Sequence, residues 1–265
     1  MRKFVALIVI SYFITLYPPG VRADTPIITV WNYYLTPPFK TSKTEGLAFD
    51  FVNLMNKESV GRFHFQLRSV PRSRLNYYLE HNQQGVVLFV NWLWMGKYAK
   101  EKYLWSPEIL KDRNEVISSI DNKISFEGPE SLKGLIFGGI RGRRYKGLES
   151  FFSSNEIIRF DVNGEEQVLN MIVKNRVDVT SQPRTLANAL IKSLGIEDKI
   201  FFSPKPLFHY SRHIMTTPVL VDVHAHLSDF AKNLDGHPEW SAILNKYELL
   251  NNRGESGGSM SELKN

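Results

Sequence analysis

The chain has 265 residues, of which 33 are Lys or Arg, 27 are Asp or Glu and none is Cys. The absence of cysteine excludes disulfides, thiolate zinc sites, iron–sulfur clusters and cysteine nucleophiles. A chain of this length can bury one large core or two modest ones, and its charged fraction of 23% excludes wholesale disorder and a coiled coil.

The first 23 residues have the organisation of a secretory signal peptide. Arg2 and Lys3 precede an apolar run over residues 4–17, and small residues at 21–23 end the segment. The run is shorter than the roughly 20 residues that span a bilayer core, and prolines end it. We therefore expect cleavage before Asp24 and a soluble protein that is periplasmic or secreted, with no lipid tether because the chain has no cysteine.

Loss of this segment would lower the net charge. The whole chain carries a formal charge of +6, and residues 1–23 contain three bases, Arg2, Lys3 and Arg22, and no acid. The remaining 30 bases and 27 acids give a net charge of +3. A charge this small gives little support to nucleic-acid binding, and we expect no nucleic-acid partner.

Downstream, short apolar runs alternate with amphipathic stretches, a pattern typical of an α/β protein. A first series predicts strands at 27–31, 63–70, 86–90 and 115–120 and helices at 49–55 and 74–80. A second series, after a break at 121–130, predicts strands at 135–140, 157–162, 177–180 and 200–203 and helices at 145–152, 165–174 and 184–194. Residues 219–250 have helical spacing, and the polar residues 251–265 predict a disordered tail. Two series predict two α/β lobes.

Short motifs follow one another along these elements in a characteristic order. They are Pro37-Pro38-Phe39, Gly46 to Asp50, Trp105-Ser106-Pro107, Ser131 to Gly134, Asn175 to Asp178, and Asp235-Gly236-His237 before residues 243–247. In this order and spacing the chain resembles an extracellular solute-binding protein of family 3, the periplasmic amino-acid-binding type. The resemblance extends over about residues 27–248.

This resemblance implies an α/β, two-lobe, type II periplasmic-binding fold with a discontinuous first lobe. Lobe 1 would comprise residues 24–117 and 212–250, lobe 2 residues 118–211, and two hinge strands would join them. A small solute would bind in the cleft, and the lobes would close over it by hinge bending. The implied protein is a monomer without cofactor or metal, whose partners are that solute and an ABC transporter permease or a membrane sensor.

Aromatic and polar side chains follow two of the predicted lobe 1 strands. Tyr34 and Phe39 follow the first strand, where the family places aromatic side chains over the ligand. Asn91, Trp92 and Trp94 follow the strand at 86–90, at the carboxyl end where ligand crevices form in α/β proteins. A turn there would separate the two tryptophans, so that one packs while the other faces the cleft.

Arginine supplies the charge of the predicted site. Residues 138–145 connect a predicted strand to a predicted helix and begin with two glycines, at 138 and 139. The three arginines at 141–144 make this the most basic stretch of the chain. Glycine lets backbone N–H groups approach an anion, and a helix N-terminus adds positive charge. A carboxylate or a phosphate would suit these groups. The candidates are Arg141, Arg143 and Tyr145, with Arg74 at the start of an earlier helix.

The chain departs from amino-acid-binding members of the family at their usual ligand contacts. Those members carry Ser or Thr with an Arg after the third strand, where this chain has Asn91 to Lys97. Asp178 is the candidate for the acid that holds an ammonium group, and Pro183 follows where another acid could have served. We therefore predict a small anionic or zwitterionic solute, with an amino acid as one possibility.

We expect no catalytic activity, because no Ser–His–Asp order or paired-carboxylate motif is present. Two alternatives remain open: a catalytic relative on the same fold, such as a periplasmic dehydratase or a murein-related enzyme, and a ligand-binding partner of a membrane sensor. Asp222, His224 and His226 resemble an amidohydrolase metal motif, but only 39 residues follow His226, too few for a barrel. On a helix the two imidazoles would also lie on different faces. We predict no metal there and assign no role to the pair.

Overall fold

The structure of the protein is a computed structural model that describes residues 25–250. The predicted signal peptide, residues 1–23, and the predicted tail, residues 251–265, lie outside the described residues. Within residues 25–250, no helix combines the length and the apolar character needed to cross a membrane.

Residues 25–250 form ten strands and eight α-helices. The strands are β1 Ile27–Asn32, β2 His64–Ser69, β3 Val86–Val90, β4 Leu104–Trp105, β5 Leu110–Ser119, β6 Ile136–Ile140, β7 Ile158–Val162, β8 Val179–Pro183, β9 Ile200–Phe202 and β10 Phe208–Thr216. The helices are α1 Leu47–Glu58, α2 Arg72–Glu80, α3 Ala99–Lys102, α4 Glu149–Ser153, α5 Glu165–Val173, α6 Arg184–Leu194, α7 Val221–Lys232 and α8 Pro238–Lys246. Three short 3-10 helices, among them Trp92–Trp94, complete the set.

The strands pair in the order β2-β1-β3-β10-β5-β8-β6-β7, with β4 beside β10 and β9 beside β5. The outer strands are parallel to their neighbours at both ends of this order, as expected for strands connected through helices. The two central strands are antiparallel to every strand they pair with.

The central strands β5 and β10 are the hinge strands. They pair with each other between 110–114 and 208–212. Beyond that stretch β10 continues along β3 and β4, whereas β5 continues along β8 and β9. Each therefore has one end in each half of the molecule. The predicted fold class, a two-lobe α/β fold with a discontinuous first lobe and two hinge strands, is confirmed, while the residue boundaries of the lobes stay a prediction.

Helix α1 shows how local sequence builds lobe 1. Its apolar side chains recur every three or four residues, and Leu47, Phe51 and Met55 are fully buried. Its first N–H groups donate to the carbonyls of Pro38 and Phe39, at 2.8 and 3.1 Å from Leu47 and Ala48. The Pro-Pro-Phe turn therefore caps this helix, which fixes the loop that follows β1 against the core.

The stretch after β6 differs from the prediction. The helix predicted at 145–152 is the five-residue α4, and residues 141–148 form turns instead, with Gly147 at φ 87°. Gly138 and Gly139 lie inside β6, where an added Cβ would come within 2.4 Å of Val168 and 2.3 Å of Asp161. These two glycines therefore serve close packing of α5 and β7, and no helix N-terminus points at an anion here.

Candidate functional site

A buried ion pair lies in the hinge, where the two lobes meet. Arg212 on β10 donates to Oδ2 of Asp112 on β5 from Nε at 3.0 Å and from Nη2 at 2.7 Å, and both side chains are 0% exposed. Strand pairing sets this geometry, because Tyr210 lies opposite Asp112 and Arg212 lies two residues further along the same face.

The remaining donors of Arg212 are also used. Nη1 donates to the hydroxyl of Tyr34 at 2.6 Å and to the carbonyl of Phe89 at 3.0 Å, and Nη2 also donates to the hydroxyl of Tyr210 at 3.1 Å. All five guanidinium N–H groups thus have acceptors. Burial alone would lower the pKa of Arg212. Tyr210, Tyr34 and Asp112 raise it by more than burial lowers it, so the pKa lies well above its ordinary value. The arginine stays charged.

Aromatic rings enclose this guanidinium. Its Cζ lies 5.0 to 5.4 Å from four ring centroids, which are those of Tyr34, Phe39, Trp94 and Tyr210. Cation–π contacts of this kind strengthen when water is excluded. The ring of Tyr34 is stacked between those of Tyr33 and Phe39, at 4.3 and 4.4 Å.

The carbonyl of Phe89 reaches Arg212 because the strand is distorted there. Phe89 has φ 58°, which a residue other than glycine rarely adopts, and the pairing of β10 with β3 shifts register between His213 and Met215. Such a conformation persists only where surrounding contacts hold it. Here the carbonyl accepts from Arg212 and, at 3.4 Å, from the hydroxyl of Tyr34.

A second polar cluster lies on the lobe 2 side. Arg143, in the turn after β6, donates from Nη2 to Oε1 of Glu165 at the start of α5. Gln182, at the carboxyl end of β8, donates from Nε2 to the carbonyl of Glu165 at 3.2 Å. One residue of α5 therefore holds two side chains that arrive from different strands.

This second cluster keeps hydrogen-bonding capacity unused. Arg143 Nη1, Gln182 Oε1 and Thr185 Oγ1 are buried and have no hydrogen-bond partner among the described residues, and the same holds for Ser181 Oγ. Buried polar atoms are nearly always paired, so these four atoms are available to a solute or to water. The four residues lie after β6 or between β8 and the start of α6. His213 Nε2, Thr216 Oγ1 and His224 Nδ1, outside this cluster, are also unpaired among the described residues.

The two clusters are joined by one hydrogen bond, in which the backbone N–H of Thr185 donates to Oδ1 of Asp112 at 3.3 Å. Burial lowers the pKa of Arg143, but Glu165, Tyr145 and Tyr34 raise it, and the net shift is upward.

Of the nine residues predicted from sequence, Tyr34, Phe39 and Trp94 surround Arg212, and Arg143 belongs to the second cluster. Asn91 and Trp92 lie beside them but have other contacts. The Asn91 side chain donates to the carbonyl of Ser211 at 2.9 Å and accepts from the N–H of Leu93 at 3.0 Å, so it caps the 3-10 turn. That turn separates the tryptophans, and Trp92 packs on His213 with ring centroids 4.8 Å apart.

Phe39 lies beneath the ring of Tyr34, and Tyr145, Arg74 and Arg141 belong to neither cluster. Phe39 and Tyr145 are each 1% exposed and belong to hydrophobic cores; the hydroxyl of Tyr145 accepts from the N–H of Ile140 at 2.9 Å. Arg74 and Arg141 are exposed. Of the two arginines in α2 it is Arg72 that approaches the cluster, 4.9 Å from the ring of Tyr33 and donating to the carbonyl of Trp94.

Sequence reasoning missed the hinge pair, Asp112 and Arg212, and the lobe 2 residues Glu165, Gln182 and Thr185. A charged residue within the return hinge strand, as Arg212 is between Tyr210 and Ile214, was an available signal. So was the position of Gln182 at the carboxyl end of a strand. Asp178, the candidate for ammonium binding, instead accepts the N–H of Ile136 at 2.7 Å.

The buried carboxyl of Glu115 lies on the opposite face of β5 from Asp112. It accepts from Arg113 Nε at 2.5 Å and pairs with Arg184 at 3.2 Å. Burial raises its pKa against the opposing effect of these two arginines. Because side chains three apart on a strand point to opposite faces, this carboxyl does not face the Arg212 cluster.

Histidines do not assemble a metal site in the described part of the chain. His224 and His226 lie on α7, as the helical prediction required, and His226 Nε2 lies 2.5 Å from Ser59 Oγ with its ring stacked on that of Phe65. His224 Nε2 lies 3.4 Å from Ser228 Oγ. Residues 25–250 contain no group of three or more His, Asp or Glu side chains that could hold a metal ion.

Two cavities lie away from the lobe junction. One of about 480 Å³ lies beside α1 and β2, between Lys40 and Ser69, and one of about 390 Å³ lies between the segment before β5 and helices α7 and α8. No unpaired buried polar atom of the described residues lines either cavity. The lobe junction therefore remains the candidate site.

No protein-family model and no curated protein matches the sequence. Solved structures do. GshT of Streptococcus mutans, described with glutathione import and the cystine ABC importer TcyBC, superposes with TM-score 0.65 at 13% identity, over 84% of this chain and 95% of that chain. The GluR0 ligand-binding core from Nostoc punctiforme, in complex with L-glutamate, superposes with TM-score 0.63 at 12% identity, over 84% of this chain and 98% of that chain.

A double mutant of the Bordetella pertussis BvgS VFT2 domain gives a TM-score of 0.64 at 15% identity, over 85% of this chain and 95% of that chain. At such identities the similarity establishes the fold and leaves the ligand open. The chain has the two-lobe type II periplasmic-binding fold.

Proposed function

We propose that this protein is an exported solute-binding protein that captures a small polar solute between its lobes. The observation that carries the proposal is the set of buried, unpaired polar atoms on the lobe 2 side of the junction: Arg143 Nη1, Gln182 Oε1 and Thr185 Oγ1. A solute in the cleft would satisfy them, and their desolvation cost would then favour the liganded state.

The chemistry of these atoms selects an anionic or zwitterionic solute. Arg143 Nη1 is a cationic donor that suits a carboxylate or another oxyanion. Gln182 Oε1 accepts, and the Thr185 hydroxyl can donate or accept, so an ammonium, amide or hydroxyl group of the same solute has partners nearby. Trp94 supplies aromatic surface from the lobe 1 side, which orients a flat or aliphatic part of the solute, and Tyr34, whose two ring faces are covered by Tyr33 and Phe39, contributes its ring edge.

The hinge cation is not the ligand anchor in this proposal. All five N–H groups of Arg212 are used within the protein, so a solute would have to break an internal bond to reach them. The solute would bind Arg143 instead. In this proposal Arg74 and Arg141, which are exposed, do not contribute to the affinity for the solute.

We propose that the protein captures its solute for transport and that its partner is an ABC transporter permease. The alternative partner is a membrane sensor. GshT is described with an ABC importer, which supports a transport role. Binding rather than turnover is favoured because the carboxyls near the junction are paired with arginines: Asp112 with Arg212, Glu165 with Arg143, and Glu115 with Arg113 and Arg184. None of these three carboxyls is without a cationic partner.

A thermal-shift screen tests the proposal. The panel comprises amino acids, organic acids, amines, sugars and peptidoglycan fragments, and the protein is held at constant concentration. A ligand at about 100 times its Kd stabilises the native state by about 2.7 kcal/mol. We expect zwitterionic or anionic compounds to raise Tm. A panel without any shift contradicts solute capture, and conversion of a hit, followed by mass spectrometry, would assign an enzyme.

A further inference from the structure

The strand at one end of the sheet has an exposed apolar face. Within residues 25–250, β7 pairs with β6 alone, and its sequence is Ile158-Arg159-Phe160-Asp161-Val162. Ile158 and Phe160 are each 53% exposed. Natural proteins usually protect such an edge with charge, a bulge or a covering element, because an open strand invites pairing with another strand.

The backbone groups of this strand alternate in direction. The N–H of Ile158 donates to Leu135 at 3.0 Å, and the carbonyl of Val162 accepts from Arg141 at 2.8 Å. In a parallel ladder, alternate residues direct their N–H and C=O groups to the same neighbour. Residues 158, 160 and 162 therefore bond to β6. Arg159 and Asp161 direct two N–H and two C=O groups to the open edge.

We infer that β7 pairs with β7 of a second copy of this chain, antiparallel, about a two-fold axis at Phe160. In this register Phe160 lies opposite Phe160 of the partner subunit, and Arg159 lies opposite Asp161 of the partner subunit. The outward groups of Arg159 and Asp161 then form four backbone hydrogen bonds, two in each direction. The exposed apolar side chains are covered by their symmetry mates.

The sequence of the strand favours this occupant over an unrelated peptide. It reads apolar, basic, apolar, acidic, apolar, so antiparallel self-pairing aligns opposite charges in both directions, whereas parallel self-pairing would align Arg159 with itself. Within one chain Arg159 Nε already donates to Asp161 Oδ1 at 2.7 Å, and Arg159 Nη2 donates to the carbonyls of Ile140 and Arg143 at 3.3 and 2.9 Å. In the dimer these pairs join into a ladder of four alternating charges on one face of the sheet.

A five-residue edge gives a small interface, so the dimer is weak, with a Kd on the order of 10–100 μM. The interface touches the candidate solute site at one point, because Arg159 Nη2 donates to the carbonyl of Arg143 at 2.9 Å. Dimerisation itself requires no solute. Failure of one leaves the other standing, because sedimentation is measured without solute.

Sedimentation velocity of the purified protein, up to about 500 μM, tests the inference. We expect a concentration-dependent shift from monomer to dimer. Phe160→Lys places two cations together at the two-fold axis and should keep the protein monomeric. The matched control is Val219→Lys, which adds the same charge at a residue 72% exposed before α7 and should dimerise normally. A monomeric wild-type protein, or a Phe160→Lys variant that still dimerises, overturns the inference.

A charge exchange tests the antiparallel register. Asp161→Arg gives a strand with two arginines, and Arg159→Asp gives a strand with two aspartates, so each variant alone should be monomeric. An equimolar mixture aligns opposite charges in both directions and should form a heterodimer. Circular dichroism of each variant checks that the fold is intact. A mixture that stays monomeric while both variants are folded overturns this register.

Discussion

Two arginines lie on opposite sides of the lobe junction, and they differ in how their donors are used. Arg212 has all five N–H groups paired and is fully buried, whereas Arg143 leaves Nη1 buried without a partner among the described residues. A buried cation with every donor satisfied holds the protein together. A cation with an unused donor, such as Arg143, can bind a solute. This difference in donor use separates the hinge from the candidate solute site.

The largest effect is expected from Arg212→Met. The change leaves the buried Asp112 carboxylate without its cation, which should lower the free energy of unfolding by about 3–5 kcal/mol. Equilibrium urea denaturation measures the loss. Arg212→Met combined with Asp112→Leu is the control, because replacing both partners by apolar groups removes the unpaired charge, and the double variant should recover part of the loss.

A loss below about 1 kcal/mol for Arg212→Met would contradict this account of the hinge. It would mean that water reaches Asp112 or that the pair forms only weakly. Equal losses for the single and double variants would instead assign the stability to the aromatic contacts of Arg212 rather than to its ion pair.

Arg143→Met should act on binding rather than on stability. Removing a charged hydrogen-bond donor should weaken binding of the strongest hit from the screen about 10- to 100-fold, by calorimetry. The partly exposed pair with Glu165 contributes little, so the free energy of unfolding should change by less than about 1 kcal/mol. Arg141→Met is the matched control, and its affinity should stay within about twofold. Equal effects of the two variants would refute the assignment of Arg143.

The smallest effect concerns His213, the neighbour of Arg212 on β10. Burial lowers the pKa of His213 below its ordinary value of 6.5, against hydrogen bonds to the backbone carbonyls of Ser106 and Pro107 that raise it. Below pH 6.5 the unfolded chain therefore binds more protons at His213 than the native protein does. The free energy of unfolding falls as the pH decreases through 6.5, and the contribution of His213 to stability is fully present above that pH. Denaturation between about pH 5.5 and pH 7.5 measures the slope.

His213→Gln should reduce that slope, because it removes one group whose pKa differs between the native and unfolded states. Part of the slope should remain, since burial also lowers the pKa of His209, His224 and His226. An unchanged slope in the variant would exclude His213 as a contributor. The two variants thus compare two ways in which β10 buries a basic residue: Arg212 stays charged and is paired, whereas His213 is buried as a neutral ring.

Periodicity predicted most of the fold. The apolar patterns at 27–31, 86–90, 165–174 and 184–194 became β1, β3, α5 and α6 within a few residues, because each buries a continuous face against neighbours. Other elements differ: β5 begins at Leu110 rather than at 115, α3 and β4 were not predicted, and at α4 turns over 141–148 replace most of the predicted helix. Within this stretch Gly142 and Gly147 adopt φ values of 77° and 87°, left-handed backbone that does not continue a helix.

The candidate site was predictable only in part. Tyr34, Trp94 and Arg143 were identified by their positions after strands, and Phe39 and Tyr145 were identified in the same way although they are 1% exposed. Position after a strand indicates proximity to a crevice but not which way a side chain points. The Asp112–Arg212 pair joins residues 100 positions apart, a distance at which no local pattern links two charges.

The sequence by itself determined the α/β class, the two series of elements and the resemblance to two-lobe binding proteins, because these depend on hydrophobic period and on the order of short motifs. The tertiary structure alone decided which arginine has an unused donor and that the strand β7 ends the sheet. Both depend on neighbours that arrive from distant parts of the chain, and satisfaction of a buried polar group is a property of the packed environment rather than of the residue.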